Sequence, residues 1–219
     1  MHSAKFDEVT EKLRGVPYMT ADRAAVIRDL IHEAGAENVL ELGFFKGKSA
    51  CYMAAVLEDQ GRGHVTTIDL TWARSHKPGI NEHLAITGLK HRVTPVFARR
   101  SYTWELAKML KQEPRPVFDF CYLDGGHTWD ATGYGFVLVD MLLRPGGIIV
   151  LDDLNWTINK HLENHPDSTK HWERYDDDEK DEQGVRLVWN TVVRHLGYQR
   201  EALREFPWGI ARKPVEDSP

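Results

Sequence analysis

Asp124, Asp152 and Asp153 stand where two short apolar runs end, Val117–Leu123 before the first and Ile148–Leu151 before the pair. If those runs are neighbouring strands of one sheet, the three carboxylates leave it at the same edge and can converge on one point. Three hard oxygens completed by water suit Mg²⁺ far better than zinc. His127 follows Asp124 by three residues, and an imidazole with an ordinary pKa of about 6.5 exchanges a proton close to neutrality. The same residues admit a plainer reading, in which Asp152 and Asp153 cap a following helix and His127 is an N-cap or an exposed polar residue.

A second group lies earlier. Val39 to Ser49 reads as a strand, a tight loop with Gly43 and Gly47, and a helix start, and Asp69 ends the next strand. Glycines let a backbone turn sharply and approach a ligand, and a carboxylate at the end of the second strand can accept both hydroxyls of a ribose. Together they mark a nucleoside-containing ligand. The spacing is not the dinucleotide G-x-G-x-x-G, because Phe44 and Phe45 fill the space a pyrophosphate needs. It is not a P-loop either, since the first glycine of that pattern is replaced by Leu42. A glycine loop alone is also compatible with an ordinary strand-to-helix turn.

The elements that must position these residues alternate along the chain. Strands are expected at 38–42, 64–69, 92–97, 117–123 and 148–151, and helices at 49–59, 81–89, 101–111 (with Ser101 as N-cap) and 129–143. Residues 144–147, Arg-Pro-Gly-Gly, read as a turn. Strands apolar on both faces and separated by helices imply a parallel sheet covered on both sides, a doubly wound α/β fold. One or two helices are expected before residue 36, the clearer at 21–34. A helix at 184–195 and two short strands near 198–204 and 206–212 follow a polar segment, and 214–219 reads as a loose tail.

In order and spacing, these segments resemble the class I S-adenosylmethionine-dependent methyltransferases, in the branch of small-molecule, metal-dependent O-methyltransferases that modify sugars, natural products or catechols. Val39–Ser49 resembles the first motif of that family, Ile68-Asp69 the ribose-binding strand end, Tyr122–His127 the D-G-x-H motif, and Leu143–Asp153 the L-[KR]-P-G-G turn with its fifth strand. The resemblance covers about residues 18–153. It implies a mostly parallel, seven-stranded Rossmann-like sheet whose last two strands end antiparallel. It also implies that Glu41 and Gly43 shape the pocket for the methionine half of the cofactor and that Asp69 binds the ribose. The loop to Ser101 passes near the adenine, and Gly47, Ser49 and Asp124 complete the cofactor-binding set. Tyr18-Met19-Thr20 resembles a segment lying over the cofactor. In similar enzymes three side chains, here Asp124, Asp152 and Asp153, hold Mg²⁺ against the acceptor hydroxyl, and a histidine at the position of His127 takes its proton.

The chain of 219 residues suits one domain, and its formal charge of −5 argues against a protein whose affinity comes from phosphate neutralisation. No apolar run approaches the ~18 residues of a membrane helix, and the charged stretch 1–13 has no apolar h-region. Cys51 and Cys121 sit in apolar patterns, as buried thiols of a reducing compartment do. A cytoplasmic enzyme with a small hydroxylated acceptor, no nucleic-acid or membrane partner, and a helical N-terminus able to support a homodimer is therefore expected.

Residues 155–183 form a polar insertion that matches no motif. Trp156, Trp172 and Tyr175 in it either roof an acceptor or pack on the parent domain. His161 and His165, four apart, read as a solvated face rather than a zinc site, and the acidic run 176–182 as an exposed loop. Two other activities stay open: metal-independent transfer to nitrogen or a carboxylate, and cofactor binding without catalysis.

Overall fold

The computed structural model describes residues 4–215, so residues 1–3 of the charged start and 216–219 of the expected tail lie outside it. Among the described residues seven strands form one sheet. They are β1 (Asn38–Leu42), β2 (His64–Leu70), β3 (Val93–Ala98), β4 (Phe118–Leu123), β5 (Leu143–Leu151), β6 (Gln199–Ala202) and β7 (Gly209–Arg212). Their spatial order is β3-β2-β1-β4-β5-β7-β6. The first five run parallel, and β7 closes antiparallel on β5 with β6 beside it. The sheet therefore grows outward in both directions from the β1–β4 pair, and the crevice at the carboxyl ends of those strands is where such sheets bind ligands.

Alternation along the strands divides the core. Val39 faces a layer shared with α1 (Ala4–Lys12), α2 (Ala21–Ala34) and α3 (Lys48–Asp59), which contribute Val9, Ile27 and Met53. Leu40 and Leu42 face the other layer, filled by Leu106, Phe136 and Val188 from α5 (Tyr102–Leu110), α6 (Trp129–Asp140) and α10 (Gly184–Asn190). The helix α2 matches its expected span. Thr20 accepts from the Arg23 N–H at its start, and Gly35, left-handed at φ 57°, ends it. Ser101 caps α5 as expected, accepting from Trp104 N–H. Of the glycines inside α6, Gly135 has a packing reason, since a Cβ there would lie 2.7 Å from the Tyr102 ring.

Four local expectations are corrected. The helix α6 ends at Asp140, not 143, and β5 begins at Leu143. The Pro-Gly-Gly turn belongs to that strand, which pairs with β4 on both sides of a register shift between Phe118 and Phe120. The helix expected at 184–195 is broken at Thr191 (φ −112°, ψ −75°) into α10 and α11 (Val192–His195). The acidic run is not a loop: Asp177–Asp181 forms the short helix α9, with carboxylates in its first turn where the helix dipole favours them. With α4 (Ile80–Thr87), α7 (Ile158–Asn164) and α8 (Thr169–Trp172), this completes the α-helices among the described residues.

Candidate active site

The loop between β1 and α3 lies at the crevice. Gly43 takes φ 91°, and a Cβ there would overlap the backbone of Asp124 and Gly125, so the ends of β1 and β4 touch through a glycine. Asp124 N–H donates to Leu42 O at 2.8 Å, and Asp152 N–H to Leu123 O at 3.0 Å, extending the parallel ladder into the site. Asp69 Oδ2 accepts from Phe44 N–H at 3.0 Å and Phe45 N–H at 2.7 Å. The carboxylate expected at the ribose thus also fixes the loop, and burial raises its pKa against these hydrogen bonds.

Beneath the loop, Glu41 is fully buried. It accepts hydrogen bonds from the Ser49 and Thr67 hydroxyls, and burial pushes its pKa up to about 7. Glu41 and Ser49 are therefore bonded to each other, and they tie the start of α3 to β1. Gly47 (φ 82°) begins α3, and Ser101, half-buried, shares a 2.6 Å hydrogen bond with the Thr103 hydroxyl.

At the ends of β4 and β5 the structure brings together Asp124, His127 and Asp153. One ligand atom of each lies within 4.8 Å of the others, and His127 Nε2 is 3.9 Å from Asp153 Oδ2. Asp153 holds its position with φ 58°, a left-handed backbone unusual for a non-glycine residue and frequent at functional sites. Burial and the nearby carboxylates Asp152 and Asp153 raise the Asp124 pKa well above the ordinary range. Burial also lowers the pKa of His127, in opposition to Asp153, which favours the charged ring. Two carboxylates and an imidazole, with their negative charge crowded and partly desolvated, are a donor set that a hard divalent cation relieves.

Asp152 stands apart from the three. It is buried, accepts from the Tyr122 hydroxyl, from Trp208 Nε1–H at 2.5 Å and from Asp153 N–H at 2.6 Å, and burial first, then Asp153, pushes its pKa up to about 6.

The insertion packs back onto this corner. Trp156 lies 5.3 Å from the His127 ring, Trp172 lies 5.7 Å from Trp156, and Tyr175 lies 5.3 Å from Trp172. His161 stacks within the same row, against Trp156 and Trp172, rather than forming a solvated face. Sequence reasoning passed over three contributors. Arg23, in the first turn of α2, lowers the pKa of both Asp124 and Asp152 by its charge, and only its position in space reveals it. Trp208 carried no motif. His76 is packed against Phe45 and Trp72, with ring centroids 4.2 and 4.8 Å away, and its Nε2 is buried without a partner.

The model of a methyltransferase domain family matches residues 40–154, more than half of the chain, from β1 through both acidic strand ends. The chain belongs to this methyltransferase domain family. Among relatives of the methyltransferase, Tapetum-specific methyltransferase 1 of Arabidopsis thaliana is 29% identical over 205 residues, 91% of this chain and 70% of that protein. "Probable caffeoyl-CoA O-methyltransferase 1" of Dictyostelium discoideum is 26% identical over 143 residues, which span 64% of this chain and 58% of that protein. The fold is shared with an O-methyltransferase from Bacillus cereus solved in complex with SAH, with a TM-score of 0.64 at 17% identity, covering 97% of this chain and 92% of the other.

Proposed function

We propose that this methyltransferase transfers the methyl group of S-adenosylmethionine to a hydroxyl of a small molecule, with Asp124, His127 and Asp153 holding a divalent cation such as Mg²⁺. The convergence of those three side chains beside the Gly43 loop carries this reading. The cofactor site comprises Gly43, Gly47, Asp69 and the loop to Ser101, with Asp124 at its edge. Glu41 and Ser49 give the loop its shape from below. When bound, the cation supplies positive charge that lowers the pKa of the acceptor hydroxyl.

The chain's own residues do the rest. His127, its pKa lowered by burial, either helps hold the cation or receives the acceptor's proton as the C–O bond forms and the C–S bond breaks in line. Asp152, held by Tyr122 and Trp208, fixes the backbone from which Asp153 projects. Trp156 shields the His127 side from water. Alignment of donor and acceptor supplies most of the acceleration. No helix among the described residues is long and apolar enough to cross a membrane. Both cysteines are free and buried, in keeping with the reducing, cytoplasmic setting proposed for the enzyme.

Calorimetric titration with S-adenosylhomocysteine, followed by Mg²⁺ with and without EDTA, tests both halves. Cofactor binding with one saturable cation site is expected. Cofactor binding with no cation site would turn the reading to metal-independent transfer, and absence of cofactor binding would overturn it altogether.

A further inference from the structure

A cavity of about 320 Å³ opens between the start of α6 and the insertion, and His127 lies in its wall. It rests on the reading of His127 as part of the reaction centre, so the carboxylates around it decide what enters rather than whether a site exists. Its apolar surface comes from Trp129, Trp156 and Leu187, a lining suited to a flat ring. Its charged lining is acidic, with Asp178, Glu179 and Glu182 from α9 and its exit. No lysine or arginine lines it. Lys180 of the same helix is paired with Asp177 at 3.0 Å and borders a different cavity. Arg186 donates to Gln183. Among the described residues no ion pair engages Asp178, Glu179 or Glu182; Asp178 and Glu182 accept only neighbouring backbone N–H groups.

We infer that this cavity takes an aromatic, hydroxyl-bearing acceptor that also carries a cationic amine, its ring between the tryptophans and its ammonium against Asp178, Glu179 and Glu182. Unpaired carboxylates beside aromatic faces favour a cation twice over, by charge and by the ring quadrupoles. An acyl-CoA acceptor, which brings several phosphates, meets repulsion at the same rim.

The test compares three catechols of similar size on the full chain saturated with S-adenosylhomocysteine and Mg²⁺: one with an aminoethyl group, one with a carboxyethyl group and one with a neutral ethyl group. Binding is read by calorimetry. The amine is expected to bind at least about tenfold more tightly than the carboxylate, with the gap shrinking as salt is raised. In the Asp178→Asn/Glu179→Gln/Glu182→Gln variant the gap closes to about twofold, while S-adenosylhomocysteine affinity is unchanged. Equal binding of amine and carboxylate by the wild-type chain, which needs no variant, would overturn the proposal. So would a preference that survives in a folded triple variant. Methyl transfer is followed in parallel. An amine that binds with this preference and is never methylated overturns the O-methylation reading and leaves the cavity's preference standing. Turnover of the neutral catechol without any charge preference overturns only the latter.

Discussion

Trp208 donates its indole N–H to Asp152 Oδ1 across 2.5 Å, so a residue next to β7 fixes a carboxylate at the end of β5. The neighbouring Asp153 N–H donates to the same oxygen, which makes Asp152 the joint between the antiparallel edge of the sheet and the site. Trp208→Phe removes one of these donors in a buried setting and is expected to lower stability by about 1–3 kcal/mol. Urea denaturation at pH 7 reads this directly. Cation affinity should fall as well, by less than in a variant of Asp153; an unchanged midpoint would mean Asp152 is held without Trp208.

Asp153→Asn keeps a side chain that tolerates the left-handed backbone at φ 58° and removes a charge from the cation set. Metal-stimulated turnover is expected to disappear while S-adenosylhomocysteine binds within about twofold of wild type. Asp153→Ala should show the same functional loss plus roughly 1 kcal/mol of destabilisation from the backbone. Equal loss of cofactor and cation binding in the Asn variant would remove Asp153 from the cation site. In the wild-type chain, EDTA should lower turnover to the level of the Asn variant.

Glu41 sets a pH dependence of stability. Burial raises its folded pKa from 4.5 to about 7, so the folded state holds a proton that the unfolded state releases. Below the unfolded value both states are protonated and nothing is lost. As pH rises through the interval up to about 7 the unfolded state alone ionises, and stability falls by up to about 3 kcal/mol, then levels off. Glu41→Gln cannot ionise, so the difference between variant and wild type should move in favour of the variant from pH 5 to about pH 8. A constant difference across that range, measured by thermal unfolding, would show that Glu41 is charged in the folded chain.

Two glycines with similar backbones separate strain from collision. Gly61 has φ 76° with nothing near its missing Cβ, whereas the Cβ of Gly43 would overlap the backbone of Asp124 and Gly125. Gly61→Ala is expected to cost about 1 kcal/mol and leave cofactor binding intact. Gly43→Ala should cost several times as much, on the order of 3 kcal/mol, and weaken S-adenosylhomocysteine binding at least about tenfold, because backbone cannot step aside.

Much of this was legible in the residues. The strand over Asn38–Leu42 and the helix over Ala21–Ala34 fall where periodicity and caps put them, because both are local signals. Asp69 lies at the Gly43–Gly47 loop, holding it through the Phe44 and Phe45 N–H groups. Asp152 and Asp153 group together in the sequence because they are adjacent, but the left-handed backbone of Asp153 (φ 58°) turns the chain just past the end of β5, and no local pattern signals that turn. Asp152 has the parity of Val150, and it ends among Tyr122 and Trp208 on that face. Arg23 and Trp208 reach the site only through tertiary packing, and no local pattern announces such a meeting. The acidic run became a helix because its carboxylates stand in the first turn, where the helix's own dipole offsets the repulsion that suggested a loop.

The insertion is anchored at both ends. Leu154 N–H donates to Pro207 O at 2.8 Å where the chain leaves the sheet, and at its return Gly184 packs so closely on the backbone of His127 and Trp129 that a Cβ would sit 2.7–2.8 Å from them. Between those two pins the insertion turns one side inward, with Ile158 buried and Trp156 against the His127 ring, and the other side, including the acidic α9, outward. The fold thereby hangs one contiguous stretch of chain beside His127, so that changes on the outward side of that stretch can alter what the neighbouring cavity admits without disturbing the sheet.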